Sequence, residues 1–208
     1  MQASDYQERI WEGLPEGLEP SDFDLRLAFL LGGVAAGASV LDVGCGEGRF
    51  AEELVRAGCA VTAVDVAREP LRRARLRVPA LDVRLLACAG GWELPDSAYD
   101  VVWAGEVLEH VADTAVWLSE ARRVLRSGGR LLLSTPAHEP LTRLRMGLSE
   151  AAFARVLDPL SDHLRFYTRP MLARLIGEFG FDQVHVRAAG GLPGARRVLL
   201  ASAVRSRF

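Results

Sequence analysis

The chain has 208 residues, of which half are apolar and a quarter are charged, as in an ordinary globular protein with a full core. Its 25 basic and 27 acidic residues nearly cancel, so the overall charge predicts neither duplex nucleic acid nor an anionic membrane as a partner. All the basic residues are arginine, which excludes a pyridoxal-phosphate Schiff base and a P-loop lysine.

Cysteine usage and the amino-terminal residues bear on the compartment. Cys45, Cys59 and Cys88 are odd in number and widely spaced, which indicates free thiols in a reducing compartment and no ligand set for structural zinc. The first twelve residues are polar and charged, unlike a signal peptide, and the weakly apolar stretch 28–41 is too short to cross a bilayer. We therefore expect a cytoplasmic protein without a metal ion or a membrane partner.

Strands and helices alternate along the predicted core. An amphipathic segment with Tyr6 and Trp11 comes first, and helical periodicity then covers 22–36, with Phe23, Leu27, Leu30, Leu31 and Val34 on one face. Strands are predicted at 39–43, 60–65, 82–86, 99–104 and 129–134, and helices at 48–57, 68–78 and 113–126. Strands separated by helices of this length build a doubly wound α/β fold around a parallel sheet.

The regular alternation of strands and helices ends after the fifth predicted strand. Residues 136–168 are irregular or helical, a helix follows at 169–179, and two further strands are predicted at 181–188 and 196–204. Gly190, Gly191, Pro193 and Gly194 make a short reverse connection between these strands, so we expect the pair to be antiparallel. This ending is not the usual dinucleotide-dehydrogenase pattern.

A glycine-rich turn and a distant acid predict a nucleoside cofactor. Gly44, Gly46 and Gly48 follow the apolar strand 39–43, and Asp65 ends the next strand about 20 residues later. This spacing puts a carboxylate within reach of a ribose diol held over the glycines.

The spacing and charge of the turn distinguish a dinucleotide such as NAD from a nucleoside without phosphate. A dinucleotide fingerprint reads G-x-G-x-x-G and accepts a pyrophosphate at a helix amino terminus, whereas this turn reads G-x-G-x-G. Asp42 and Glu47 flank it, so we expect repulsion of a pyrophosphate and preference for a cationic ligand. S-adenosylmethionine, which carries a sulfonium and no phosphate, fits this better than NAD.

Five blocks of sequence carry a family resemblance over about residues 38–188: VLDVGCGEGRF (40–50), VTAVDV (61–66), ELPDSAYDVVWAGEVLEHVAD (93–113), EARRVLRSGGRLLLSTPAH (120–138) and DHLRFYTRPMLARLIGEFGF (162–181). On these the chain resembles the class I S-adenosylmethionine-dependent methyltransferases of the small-molecule, ubiquinone-biosynthesis-like type. The resemblance implies a Rossmann-like sheet of seven strands, mostly parallel, with an antiparallel last strand.

The resemblance also implies the cofactor contacts. Asp42, Gly44, Cys45 and Gly46 would line the methionine and ribose portion, Asp65 would bind both ribose hydroxyls, Val66 would pack on the adenine, and Ala104, Gly105 and Glu106 would face the methionine part. The family usually has an acid for the adenine amine after the third strand, and here Gly90 stands at that place. Backbone amides, stacking by Trp92 or the carboxylate of Glu93 are the alternatives.

Histidines are the candidate bases for a hydroxyl acceptor at neutral pH. His110 and His138 follow the fourth and fifth strands at the carboxyl edge of the sheet, where α/β folds bind ligands. His163 lies in the variable region where the family places acceptor contacts, whereas His185 lies inside a late strand and is interpreted as structural. Each of the first three has a packing role as its alternative.

Several other residues have structural interpretations. Glu109 is expected to be a hydrogen-bond partner, Trp103 and Trp117 are expected in the core, and the arginine run within 68–77 is expected on a solvated helix face. The amino-terminal segment is either a lid over the site or simple packing.

The hypothesis is a single methyltransferase domain over 1–208 that uses S-adenosylmethionine, leaves S-adenosylhomocysteine, and methylates oxygen or carbon of a small molecule. Its expected parts are a cap at 1–20, a cofactor-binding core at 38–135, a substrate lid at 136–168, and a helix and hairpin at 169–208. There are three alternative functions: an NAD-dependent oxidoreductase, a non-catalytic S-adenosylmethionine-binding protein, and an RNA or protein methyltransferase. The last stays open because the fold does not determine the methyl acceptor.

Overall fold

Seven strands form one sheet in the computed structural model, which describes residues 3–87, 90–158 and 161–207. The strand order is β3-β2-β1-β4-β5-β7-β6, and β7 alone runs antiparallel to its two neighbours. The strands are β1 (Ser39–Val43), β2 (Ala60–Asp65), β3 (Asp82–Leu85), β4 (Tyr99–Gly105), β5 (Leu125–Pro136), β6 (Phe181–Leu192) and β7 (Ala195–Arg205). The predicted mixed seven-stranded fold is confirmed.

Helices pack on both faces of this sheet. They are α1 (Ala3–Gly13), α2 (Phe23–Gly32), α3 (Arg49–Arg56), α4 (Arg68–Arg77), α5 (Thr114–Val124), α6 (Pro140–Leu148), α7 (Glu150–Val156) and α8 (Arg169–Glu178), with a 3-10 turn at Leu108–His110. In the described part of the chain, no helix combines the length and apolarity needed to span a membrane.

Alternate residues of the central strands pack into two apolar layers. One layer joins Val102 and Leu131 of the sheet to α5 and α8, and the other joins Val40 and Trp103 to α2 and α3. Trp103 is fully buried and Trp117 nearly so, as predicted for core residues.

The strand order of the sheet reverses direction between the central strands β1 and β4. β1 pairs with β2 on one side and β4 on the other, so the chain after β1 and the chain after β4 diverge to opposite faces. In open α/β sheets this divergence leaves a crevice at the carboxyl ends of the strands, and ligands bind there. The glycine turn, Asp65 and residues 104–106 all lie at this edge.

Candidate functional site

The glycine turn after β1 is a tight backbone loop with three left-handed residues. Gly44, Gly46 and Gly48 have φ of +68°, +52° and +76°. The Gly44 and Cys45 amides both donate to the Val64 carbonyl oxygen, at 2.8 and 3.0 Å. A Cβ atom on Gly44 would lie 2.5 Å from a methyl carbon of Val107. Glycine is therefore needed at position 44 both for its conformation and for close packing.

Asp65 lies beside this turn at the end of β2. Its carboxylate accepts the amide hydrogens of Gly46 and Ala67, each at 3.1 Å, and 6% of the residue is exposed. Burial raises the pKa of Asp65 to about 6, against the lowering effect of these backbone amides. The sequence-predicted ribose acid is thus buried beside the turn.

Asp42 provides a second buried carboxyl below the turn. It is 2% exposed, and its Oδ2 atom has no hydrogen-bond partner among the described residues. Burial, followed by the charge of Asp65, raises the pKa of Asp42 to about 7. An unpartnered buried carboxylate oxygen is costly, which makes this a favourable place for a cationic or hydrogen-bond-donating group.

The carboxyl end of β4 turns sharply at Glu106, whose φ of +58° is unusual for a residue with a side chain. Its amide donates to the Ser134 carbonyl oxygen at 3.0 Å, and its carboxylate accepts the Ser134 hydroxyl at 2.9 Å. Burial raises the pKa of Glu106, and the charge of Arg26 opposes that rise. Ala104 and Gly105 precede it on the strand, so the predicted methionine-side segment lies across from the glycine turn.

Arg26 is a site residue that the sequence reasoning missed. It lies on α2 with 2% exposure, and its Nε donates to the Ser134 hydroxyl at 3.0 Å. Its guanidinium also lies 4.9 Å from the centre of the Phe50 ring. The signal was present, because position 26 falls on the same helical face as Phe23 and Leu30, and an arginine on a buried face needs an anionic or polar partner.

Glu47 does not act as the free acid that the sequence reasoning expected at the turn. It is 5% exposed and lies 2.8 Å from Arg73 and 3.3 Å from Arg77. Its Oε2 also accepts the Gly17 amide hydrogen at 2.8 Å. Since its charge is neutralised, the repulsion of a pyrophosphate rests on Asp42 and Asp65.

Arg73 corrects the interpretation of the arginine run as wholly solvated. It is 7% exposed, and one of its amino groups donates to the carbonyl oxygens of Trp11 and Leu14, at 2.8 and 3.1 Å. The carboxylate of Glu8 in turn accepts amide hydrogens at the start of α4. Arg73 and Glu8 therefore hold the amino-terminal segment against α4.

The α1 helix covers the glycine turn. Trp11 lies so close that a Cβ on Gly46 would be 2.9 Å from its ring, and Gln7 donates to Asp162 at 3.3 Å. Two surface cavities of the described residues lie elsewhere: one is lined by β6 and α8, and the other by the amino-terminal edge of the sheet. Trp11 of α1 covers Gly46 of the glycine turn.

His110 and His163 meet at the same edge of the sheet. Their ring centres are 4.7 Å apart, and Nδ1 of His110 lies 3.1 Å from both the carbonyl oxygen and the carboxylate of Asp162. Burial alone lowers the pKa of His110, but the Asp162 hydrogen bond and the Glu109 charge raise it above its ordinary value. Burial and the neighbouring His110 lower the pKa of His163.

His138 lies after β5, half-buried. Its Nδ1 is 3.3 Å from the Tyr167 carbonyl oxygen, and its ring packs edge-on against Phe166 at 5.2 Å. Burial lowers the pKa of His138. The three candidate histidines are thus gathered at the edge, whereas His185 is exposed on β6.

The family assignment follows from comparison with known proteins. The model of the methyltransferase domain family matches residues 18–186. The chain belongs to this family.

Curated relatives of this family member include two ubiquinone biosynthesis O-methyltransferases. The protein of Aeromonas salmonicida is 37% identical over 145 residues, which are 67% of this chain and 60% of that protein. The protein of Xanthomonas oryzae pv. oryzae is 34% identical over 139 residues, which are 65% of this chain and 58% of that protein. The chain thus spans about three fifths of the length of these relatives.

Solved methyltransferases share the fold. A Haemonchus contortus phosphoethanolamine N-methyltransferase 2, in complex with S-adenosyl-L-methionine, superposes with a TM-score of 0.76 at 18% identity over 99% of this chain and 60% of that one. The Burkholderia thailandensis 1,6-didemethyltoxoflavin-N1-methyltransferase superposes with a TM-score of 0.71 at 21% identity, over 98% of this chain and 87% of that one.

The methyltransferase resemblance left three alternatives for the adenine contact, and the structure describes the surroundings of two of the side chains concerned, Trp92 and Glu93. Trp92 is 8% exposed and packs edge-on against Trp117 at 5.6 Å. Its backbone is fixed by Glu120 and Arg123. Much of its ring packs in the core, and stacking of Trp92 on an adenine stays a prediction. Val66 is partly exposed beside this core, and Glu93 is exposed.

The cysteines lie in different parts of the structure. Cys45 and Cys59 are buried free thiols. Burial raises the pKa of the Cys45 thiol well above its ordinary value. Its amide donates to the Val64 carbonyl oxygen, and its thiol donates to the Gly46 carbonyl oxygen at 3.6 Å within the glycine turn. Cys88 lies outside the described residues.

Proposed function

We propose that this domain binds S-adenosylmethionine in the crevice at the glycine turn and transfers its methyl group to oxygen or carbon of a small molecule. The carrying observation is the pair of buried carboxyls Asp42 and Asp65, one of which has an unpartnered oxygen. A cationic, phosphate-free nucleoside suits this arrangement, and a pyrophosphate does not.

Three groups of residues would hold the cofactor. Asp65 would accept the ribose hydroxyls, and the backbone at the glycine turn would face the ribose and methionine portions. Glu106 and the unpartnered oxygen of Asp42 are the acids available to the ammonium group. Val66 would pack on the adenine, and backbone amides after β3, the Trp92 ring or the Glu93 carboxylate would provide the remaining adenine contact.

The cofactor supplies an already activated methyl group, so the protein has chiefly to align the acceptor and exclude water. The buried edge and the α1 cover provide the exclusion. Residues 1–20 and 136–168 would form the roof of the acceptor pocket, within a single domain spanning 1–208.

Proton removal from a hydroxyl acceptor would fall to a histidine among His110, His138 and His163. The lowered pKa values of His138 and His163 keep both imidazoles neutral near pH 7, as a base requires. The raised pKa of His110 favours its cation.

Methyl incorporation from labelled S-adenosylmethionine into a panel of hydroxylated and enolisable metabolites tests the proposal. Incorporation should occur into at least one small acceptor. Binding of the cofactor with no incorporation into any small molecule, RNA or protein would instead identify a non-catalytic cofactor-binding protein.

A further inference from the structure

An open cavity of about 720 Å³ lies at the outer edge of the sheet, away from the glycine turn. It is lined by the middle of β6, the start of α8, Phe29 of α2 and two residues of β7. Pockets that hold small organic molecules have volumes of about 300–1,000 Å³. The cavity is therefore large enough for a small molecule, and the proposed function places neither cofactor nor acceptor there.

The charged side chains that line this cavity are all basic. They are Arg169, Arg187 and His185, and the described lining contains no acid. In the pairing of β6 with β7, His185 lies opposite Ser202, which also lines the cavity. Side chains alternate along a strand, so His185 and Arg187 project from the same face of β6, with backbones about 7 Å apart. This spacing lets both side chains reach one anionic group.

Arg187 is the basic residue most available to an anion. It is exposed, and none of the described acidic side chains forms an ion pair with it. Its guanidinium lies 5.7 Å from the centre of the Phe29 ring, which places the charge beside an aromatic wall. Arg169 differs, because its Nε atom lies 3.2 Å from the buried carboxylate of Glu139. We therefore expect Arg187 to contribute more than Arg169 to binding of an anion.

The rest of the lining is apolar apart from Ser202. It comprises Phe29, Pro170, Ala173, Val184, Val186 and Leu200. An inorganic anion would leave these walls in contact with water. An anion with an aromatic or aliphatic body would cover part of this apolar surface while its charged group contacts Arg187.

The backbone of β6 offers further donors along this edge. β6 is the last strand in the sheet order, and among the described strands it pairs with β7 alone. Every second residue of such an edge strand turns its amide and carbonyl groups away from the sheet. An outward amide hydrogen next to Arg187 can donate to an anionic oxygen. The positive side chains and these amides therefore favour the same kind of ligand.

We propose that this cavity binds a small organic anion. A phosphate or carboxylate group would lie at Arg187 and His185, and an aromatic or aliphatic body would pack against Phe29. A cationic ligand such as S-adenosylmethionine would be repelled by the basic lining. The site is thus separate from the cofactor crevice, and the inference does not depend on the proposed function.

Titration of the full chain with naphthyl phosphate tests the site without cofactor or acceptor. Calorimetry should give one saturable site with a Kd of about 1 mM or tighter, as is usual for a ligand of this size. Naphthol and inorganic phosphate each provide only one half of the ligand and should bind more weakly by about tenfold or more. Naphthoate should bind as well, and its affinity relative to naphthyl phosphate identifies the preferred anionic group.

NMR signals of the His185 ring locate the bound anion, and His185→Gln assigns them. These signals should shift during the titration, with the same midpoint as the calorimetric curve. Arg187→Met should weaken binding by about tenfold, and Arg169→Met by less, because Glu139 already neutralises Arg169.

Arg174→Met is the matched control, since this exposed arginine of α8 lies outside the cavity lining. It should bind naphthyl phosphate like the parent. Thermal unfolding and S-adenosylhomocysteine binding should be alike in the parent and all variants, which separates loss of this site from loss of the fold or failure of the proposed function. Absence of saturable binding, unmoved His185 signals, or equal affinity in the parent and Arg187→Met would overturn the inference.

Discussion

At the scale of single residues, the site depends on carboxyl groups that the fold buries without fully satisfying them. Asp42 and Asp65 lie on neighbouring strands, and each is nearly inaccessible. Their burial opposes ionisation, whereas a bound cation would favour it. We therefore expect cofactor recognition to be coupled to the protonation of these two groups.

Asp65→Asn should weaken S-adenosylmethionine binding at least tenfold. The amide keeps the size of the side chain but loses a charged acceptor, and hydrogen bonds to charged groups contribute about 1.5–3 kcal/mol. Asp82→Asn is the control, because Asp82 lies on the adjacent strand, exposed and paired with Arg84. Calorimetry on both variants gives the comparison, and equal affinities would remove the ribose role of Asp65.

Cofactor affinity should rise as the pH increases from 5.5 to 8. The pKa values of Asp65 and Asp42 are raised to about 6 and 7, so the free folded protein holds protons that the unfolded chain loses near pH 4. The contribution of both groups to stability consequently falls between about pH 4 and 7. A bound cationic ligand stabilises the ionised carboxylates and so offsets this loss of stability. Titrations at several pH values in salt-matched buffers measure the trend, and a flat profile contradicts the coupling.

At the scale of secondary structure, we propose that the attachment of α1 to α4 controls access to the crevice. Arg73 joins the two by binding the Trp11 and Leu14 carbonyl oxygens while pairing with Glu47 and Glu69. Trp11 then lies over Gly46. As a lid, α1 would open for a ligand to enter the glycine turn.

Arg73→Met should lower the thermal midpoint by several degrees and speed cofactor association, because the Trp11 and Leu14 carbonyl oxygens lose their shared donor. Arg72→Met, one position along, changes an arginine whose side chain is half exposed and pairs with Glu69 and Glu16. That variant should stay close to the parent. Stopped-flow Trp fluorescence and thermal unfolding measure the two effects. Identical behaviour of the two variants would show that Arg73 does not hold α1 over the glycine turn.

Element order was predictable from apolar periodicity, but some boundaries were not. The predicted helix 113–126 ends at Val124, and β5 already begins at Leu125 rather than at 129. Tyr99 pairs with Leu125 and Val101 with Arg130, so residues 126–129 bulge from the strand, with Gly128 at φ +77°. A basic segment followed by glycines resembles a helix end in sequence, and only the pairing with β4 distinguishes the two.

At the scale of the whole molecule, the sheet gathers side chains that are far apart in sequence. The glycine turn and Asp65 were predictable, since a strand end and a fixed spacing locate them. The Arg26–Ser134–Glu106 network and the contact of His110 with His163 were not, because each depends on packing between distant elements. Pairing of Glu47 with Arg73 was hidden for the same reason.

The central claim is that this crevice prefers a cationic adenosine compound to a dinucleotide. Calorimetric titration of the parent chain with S-adenosylmethionine, S-adenosylhomocysteine and NAD compares them directly. The account predicts micromolar binding of the first two and no measurable heat with NAD. Saturable binding of NAD, with none of S-adenosylmethionine, would contradict it.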